Sequence, residues 1–354
     1  MSTHEPPKSD PSMPGIVRRK AFRLSGESLI KTEDLRPGVT LPLVVRPAIE
    51  GINLVAWAAN NRQYIETQLL EHGVILFRGF DTHSVSAFEN FASAICPELF
   101  GQYGDLPREN ESGKVYHSTP YPPNQTIFFH NEASHTYRWP MKIWFFCKQA
   151  AQQGGETPIA DCRKVYGLID PEIRERFERK KVMYVRNFGG GLDVSWQAFF
   201  QTSDRRAVEE YCRNSSIDFA WKGEDGLKIR EVRAAIAEHP KTGQMVWFNQ
   251  LLLHHTSSLD REIREFLLSA FKEEDLPRNV YYGDGSPIED AVIEQISAAY
   301  RETATSFPWQ DGDILMLDNM LTAHSRNPFT GTRKILVAMG ETMTGKDLAT
   351  AARA

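Results

Sequence analysis

His130 and Glu132 close the apolar run Gln125-Thr126-Ile127-Phe128-Phe129-His130-Asn131-Glu132, and an imidazole beside a carboxylate is a natural start for a metal site. In an extended strand successive side chains point to opposite faces, so positions two apart share a face and can grip one ion. The triplet alone is weak. With ten histidines in the chain, about one His-x-Asp/Glu is expected by accident at ordinary composition. Its partners elsewhere in the sequence have to carry the inference.

Far downstream, His324 stands at the end of a strand and Arg333 opens the next one. Two histidines and one carboxylate leave open positions on a six-coordinate ion, which suits a non-haem Fe(II) that must take both a cosubstrate and dioxygen. The Arg333 guanidinium can clamp a carboxylate in bidentate fashion. The charges of Fe(II), Glu132, a 2-oxo dicarboxylate and Arg333 cancel, so a dry pocket can hold the set. Arg326, two residues after His324, is a candidate anchor for the substrate. Each residue has a plainer alternative: a hydrogen-bonded core histidine for His324, and a surface ion pair for Arg333 or Arg326.

The elements that must position these residues follow from periodicity. Asn53 to His72 carries Trp57, Ile65, Leu69 and Leu70 at helical intervals and stops at Gly73, a residue suited to a left-handed cap. Val74-Ile75-Leu76-Phe77-Arg78-Gly79-Phe80 reads as a buried strand. Phe88, Phe91, Ala92 and Ile95 form the stripe of a second helix. The stretch 101–124 is rich in Gly, Pro and Asn and reads as a long loop with a part in function. Strands are expected at Gln125–Glu132, Lys142–Lys148, Met245–Asn249, Asp313–Asn319 and Arg333–Met339, with a turn and short strand over Gly154–Asp161. Between about Arg163 and His239 the pattern turns mostly helical, which predicts an insertion packed outside the sheet. Ser286-Pro287-Ile288-Glu289 has the form of a capping box opening a helix with Ile288, Val292, Ile293, Ile296 and Tyr300 on its buried stripe.

Composition fits an ordinary soluble globular protein: 354 residues, 41% hydrophobic, 11% aromatic, 25% charged. The net charge of -5 argues against a nucleic-acid surface. No run approaches the roughly eighteen apolar residues of a membrane span. Four scattered cysteines without Cys-x-x-Cys spacing suggest neither a zinc ribbon nor a disulfide framework, and a cytoplasmic setting is expected. Residues 1–20 read as a disordered lead-in, 21–345 as a single domain with its insertion at 163–239, and 346–354 as a tail. Three other motifs carry no site. Gly340 to Lys346 imitates a phosphate loop but continues with Asp347 where a Ser or Thr is needed. Gly189-Gly190-Gly191 lacks a strand-to-helix setting, and His254-His255 has no carboxylate two residues on.

Taken together, Gly73 to Phe80, His130-Asn131-Glu132, the turn Gly154-Gly155-Glu156-Thr157, and His324 followed by Arg333 resemble the Fe(II)/2-oxoglutarate-dependent dioxygenases of the taurine dioxygenase and clavaminate synthase superfamily. The resemblance runs from about Asn53 to Met339. It implies a mainly β fold with flanking helices, a double-stranded β-helix or jelly roll, with the metal inside one open end. It implies that Thr157 hydrogen-bonds a carboxylate of 2-oxoglutarate. It also implies conversion of 2-oxoglutarate and dioxygen to succinate and CO2, coupled to hydroxylation of an unactivated C–H bond, with desaturation and cyclisation as alternative outcomes. A carboxylate at Glu132 argues against the halogenating branch. Ser118-Thr119-Pro120-Tyr121-Pro122 and His324-Ser325-Arg326-Asn327-Pro328-Phe329 look most like the syringomycin-pathway hydroxylases, which implies an amino-acid-like substrate, free or tethered to a carrier protein. Where taurine dioxygenase has a second arginine, four residues past the first, this chain has Val337. A non-catalytic metal-binding sensor, or a metal-dependent isomerase or hydrolase, could use the same scaffold.

Overall fold

The computed structural model describes residues 29–100, 109–118, 121–189 and 193–351. The expected lead-in at 1–20, Thr119, Pro120, Gly190, Gly191 and the tail end at 352–354 lie outside them. Its frame is an eight-stranded sheet in the spatial order Ile30–Arg36, Val39–Pro47, Val74–Phe77, Ile314–Asp318, Arg138–Gln149, Lys334–Thr344, Val115–His117, Asn110–Ser112. Val39–Pro47 runs parallel to Val74–Phe77. The other neighbouring pairs are antiparallel.

The central strands are continuous apolar runs because both their faces are covered. One face presents Ile75, Phe77, Trp144, Phe146, Met316 and Leu336 to the helices Leu54–Asn60, Arg62–His72 and Val85–Ile95. The alternate residues Leu76, Ile143, Phe145, Leu315, Leu317, Ile335 and Val337 form the opposite face, against Ile159 of a smaller sheet. A slip of one residue would exchange the two sets, so the register is strongly specified. The smaller sheet has three antiparallel strands in the order Ile127–His130, Thr322–Arg326, Ile159–Asp161. It carries the two histidines expected to bind metal. A large sheet and a small one, face to face over an apolar layer, agree with the expected jelly roll.

Several expectations need correction. The first helix is two, broken at Asn61, whose side chain donates to Trp57 O at 2.8 Å. The loop at 101–124 contains the hairpin Asn110–Ser112 and Val115–His117, which extends the large sheet. The insertion is not mostly helical. Besides helices Pro171–Lys180 and Arg205–Asn214 it contributes Val182–Phe188, Ile217–Lys222 and Gly226–Arg233 to a four-stranded sheet completed by Arg278–Tyr282. The alternation Val182, Tyr184, Arg186, Phe188 on one such strand has period two, and the β-sheet wins over the surrounding helical stretches. The helix expected from Ser286 begins at Asp290 instead, because Ser286 bonds Asp284 at 2.5 Å and Lys180 at 3.0 Å. Lys334–Thr344 continues as strand through most of the segment that imitates a phosphate loop, and the helix Gly345–Ala351 takes up the start of the expected tail.

Candidate active site

His130 and His324 are direct partners in the antiparallel pairing of their strands, so the two imidazoles emerge side by side with ring centroids 4.4 Å apart. His324 lies in the middle of its strand rather than at the end. Ligand atoms of His130, Glu132 and His324 all fall within 4.8 Å of one another, with His324 Nε2 and Glu132 Oε2 at 4.0 Å. All three are buried, at 8%, 5% and 5% exposure. His130 Nδ1 sits 2.8 Å from Phe128 O. A carbonyl only accepts, so Nδ1 carries the proton and the ring's lone pair lies on Nε2, the tautomer a metal needs. Two imidazoles and a buried carboxylate converging this closely suit a first-row divalent ion. The site therefore fits iron.

Glu132 reaches this cluster by a route different from the one its spacing suggested. The strand ends at His130, and Glu132 lies in a turn closed by Ser134 N donating to Asn131 O, with Ala133 at φ 56°. Asn319 holds the turn. The Glu132 N–H donates to Asn319 Oδ1 at 2.7 Å, while Asn319 Nδ2 donates to Glu132 O and Pro140 O, both at 2.8 Å. Asn131 Nδ2 donates to Asn319 O at 2.7 Å, and Gln250 Nε2 to Asn131 O at 2.9 Å. Sequence reasoning missed Asn319 and Gln250. The one available signal was a polar Asp318-Asn319 doublet interrupting an apolar run.

Arg333 lies just before its strand, with Nε donating to Gly155 O at 2.8 Å and a terminal nitrogen to Thr157 Oγ1 at 3.4 Å. Trp309 Nε1 also donates to that hydroxyl, at 3.2 Å. Gly155 has φ 72°, and a Cβ there would lie 2.9 Å from Arg333 Cδ, so the glycine lets the arginine pass against the turn. Among the described residues no carboxylate lies within ion-pair distance of Arg333. Burial, and then the like charge of Arg326, pull its pKa down to about 10, which leaves it a cation at neutral pH with an unfilled demand for an anion. Arg326 is placed differently. Its terminal nitrogens donate to Tyr121 O, Pro122 O and Gln125 O at 3.0, 2.6 and 2.7 Å, so it ties down the segment before His130.

These groups face one cavity of about 570 Å³. His130, Glu132, His324, Thr157, Arg326 and Arg333 all line it, with Phe145 and Val337 from the large sheet. Residues that the sequence reading did not single out also face it, including Asp193, Gln250 and Arg278, as do His254 and His255. Neither of those two histidines joins the metal cluster.

The model of the taurine catabolism dioxygenase TauD, TfdA family matches residues 32–339. The chain belongs to this family. It is an Fe(II)/2-oxoglutarate-dependent dioxygenase. It is similar to the dapdiamide synthesis protein DdaC of Enterobacter agglomerans, 39% identical over 307 residues that cover 83% of this chain and 93% of that one. A clavaminate synthase-like protein of Arabidopsis thaliana is 29% identical over 314 residues, 86% of this chain and 91% of that one. Among solved structures, PvcB from Pseudomonas aeruginosa superposes with a TM-score of 0.52 at 14% identity, covering 91% of this dioxygenase and 94% of that chain. A taurine dioxygenase from Burkholderia xenovorans gives 0.52 at 14% identity, covering 92% and 98%. At such identities the structures speak for the fold, and they agree with the jelly-roll frame.

Proposed function

We propose that this dioxygenase oxidises an unactivated C–H bond of an amino acid or amino-acid-like metabolite in natural-product biosynthesis, with hydroxylation as the outcome. The observation that carries the reading is the convergence of His130, Glu132 and His324 with the buried cation Arg333 on one cavity. Similarity to DdaC supports a biosynthetic setting. Iron with 2-oxoglutarate and dioxygen supplies the oxidising power, the oxo acid leaving as succinate and CO2.

The chain's own residues do the rest. His130, Glu132 and His324 would hold the metal, which keeps coordination positions for the cosubstrate and dioxygen. Arg333 would take a carboxylate of 2-oxoglutarate, with the Thr157 hydroxyl beside it, and neutralise charge that burial would otherwise make costly. Phe145, Ile335 and Val337 line part of the cavity with apolar surface. Arg326 fixes the segment that delivers His130. The single-domain organisation over 21–345 belongs to the same reading. So does a cytoplasmic location, which the four free cysteines support.

The test is direct. Anaerobic addition of Fe(II) and 2-oxoglutarate should give a weak visible metal-to-ligand charge-transfer band in the wild type and none in His324→Ala. Folded wild-type protein without the band would overturn the cofactor placement. Succinate release and product mass, screened over free and carrier-tethered amino acids, then identify the substrate. Release that needs no amino-acid-like compound would count against the substrate class.

A further inference from the structure

We infer that the cavity wall built by the inserted sheet is an anion subsite, in which Arg278, braced by Asp193, binds a carboxylate of the organic substrate while the apolar stripe Leu259, Ile263 and Leu267 packs its aliphatic part. This rests on the function proposed above and names the chemistry of the substrate: an acid with an apolar segment.

A five-carbon oxo diacid and one ion occupy only part of a cavity of about 570 Å³, a size that takes a drug-sized ligand. The remaining wall comes from other elements. Arg186 and Arg278 stand directly opposite each other on neighbouring strands of the inserted sheet. Like charges in that position repel, and an anion between them offsets the repulsion. Asp193 is that anion. Arg278 Nε and its terminal nitrogen reach the two carboxylate oxygens at 2.8 and 3.1 Å, and Arg186 does the same at 3.0 and 3.2 Å. One carboxylate thus receives two bidentate forks.

Arg233 pairs with Glu231 at 2.7 Å farther along the same sheet, opposite Val182 and Tyr184. Around Asp193 itself two guanidiniums share one carboxylate. Glu231, Arg186 and Arg278 border a small side cavity, while Arg278 and Asp193 face the main one. Arg278 retains 27% side-chain exposure, against 9% for Arg186, so it is the guanidinium a ligand can reach. Fixed in orientation by Asp193, it loses little freedom on binding a second carboxylate.

The apolar half of the subsite is equally specific. Helix Arg261–Ala270 buries none of its side chains, yet Ile263 and Leu267, one turn apart, face the cavity together with Leu259. An apolar stripe that looks into a cavity gains its burial from what fills that cavity.

Octanoic acid, N-acetyl-L-leucine and N-acetyl-L-phenylalanine, each paired with its primary amide, are titrated by calorimetry into the anaerobic protein carrying Fe(II) and 2-oxoglutarate. At least one acid should bind tenfold or more tightly than its amide. Arg278→Met should abolish that preference, and Arg278→Lys should restore part of it. Asp193→Asn, which removes the competing anion, should keep or increase the affinity for the acid. A clamp that only supports the fold predicts the opposite, a loss of binding in both Arg278→Met and Asp193→Asn. Equal binding of acid and amide across the series, or a preference that survives in Arg278→Met, overturns the inference. The charge-transfer band is recorded on the same samples. Its absence would strike the iron placement, and the acid preference is then read on the metal-free protein.

Discussion

At the scale of single residues, the metal cluster depends on side chains that never touch the ion. Asn319 bonds both the N–H and the carbonyl of Glu132 and joins that peptide to Pro140. Its role is to fix where the carboxylate points, since Glu132 has no strand of its own to aim it. Removing it takes a hydrogen-bond partner from three buried backbone groups, and each group left unsatisfied costs about 1–3 kcal/mol. We expect Asn319→Ala to weaken Mn(II) or Co(II) binding on the order of tenfold or more, and to lower stability as well. Asn319→Asp keeps an acceptor for the Glu132 N–H but loses both donated bonds, so its metal affinity should fall between the two. Metal titration by calorimetry, at a temperature where every variant is folded, checks this ordering. If Asn319→Ala binds metal as tightly as the wild type, the turn does not need Asn319 to aim its carboxylate.

At the scale of elements, the hairpin within the expected loop is tied to the sheet by charge. Glu111 accepts from Lys334 at 2.9 Å and Lys148 at 3.0 Å and lies 2.6 Å from His117 Nε2. These partners, Lys334 first, hold its carboxyl down at about 2. A depressed carboxylate contributes stability that is present above its unfolded pKa, near 4.5, and is lost as pH falls through about 2, because the unfolded chain takes up the proton first. Glu111→Gln should therefore melt roughly 1–3 °C lower at neutral pH, and the difference should close as the pH is lowered toward 2. Differential scanning calorimetry across that range measures it, and a gap independent of pH would assign the effect to packing. This hairpin also marks the limit of what the sequence makes legible. The central strands were readable because burial on both faces makes them apolar throughout, and the types and spacing of His324 and Arg333 pointed to the one cavity that both line. The hairpin was not, since Asn110-Glu111-Ser112 has no apolar alternation and is held by lysines on strands remote in sequence. The inserted sheet was obscured for a related reason: Arg186, Lys228, Glu231 and Arg278 are charges buried on strands, satisfied only by partners that folding brings in.

At the scale of the whole molecule, the proposed metal site would act as a long-range cross-link. Its ligands come from the end of one strand, a turn clamped by Asn319, and a strand near the far end of the chain. The unfolded chain cannot assemble them, so binding energy appears as folding energy. A ligand at a hundred times its Kd adds about 2.7 kcal/mol to stability. With an unfolding entropy of about 2.1 cal/mol/K per residue, a chain of 354 residues should melt about 4 °C higher under saturation by Mn(II) and 2-oxoglutarate. Addition of a chelator should reverse the shift. Arg333→Met removes the anchor of the oxo acid and keeps the three metal ligands, so it should respond to Mn(II) but gain nothing more from 2-oxoglutarate. His324→Ala should respond to neither, because a site left with one imidazole and one carboxylate holds the ion too weakly to stabilise the fold. An unchanged metal-dependent shift in His324→Ala would place the stabilising ion elsewhere in the molecule.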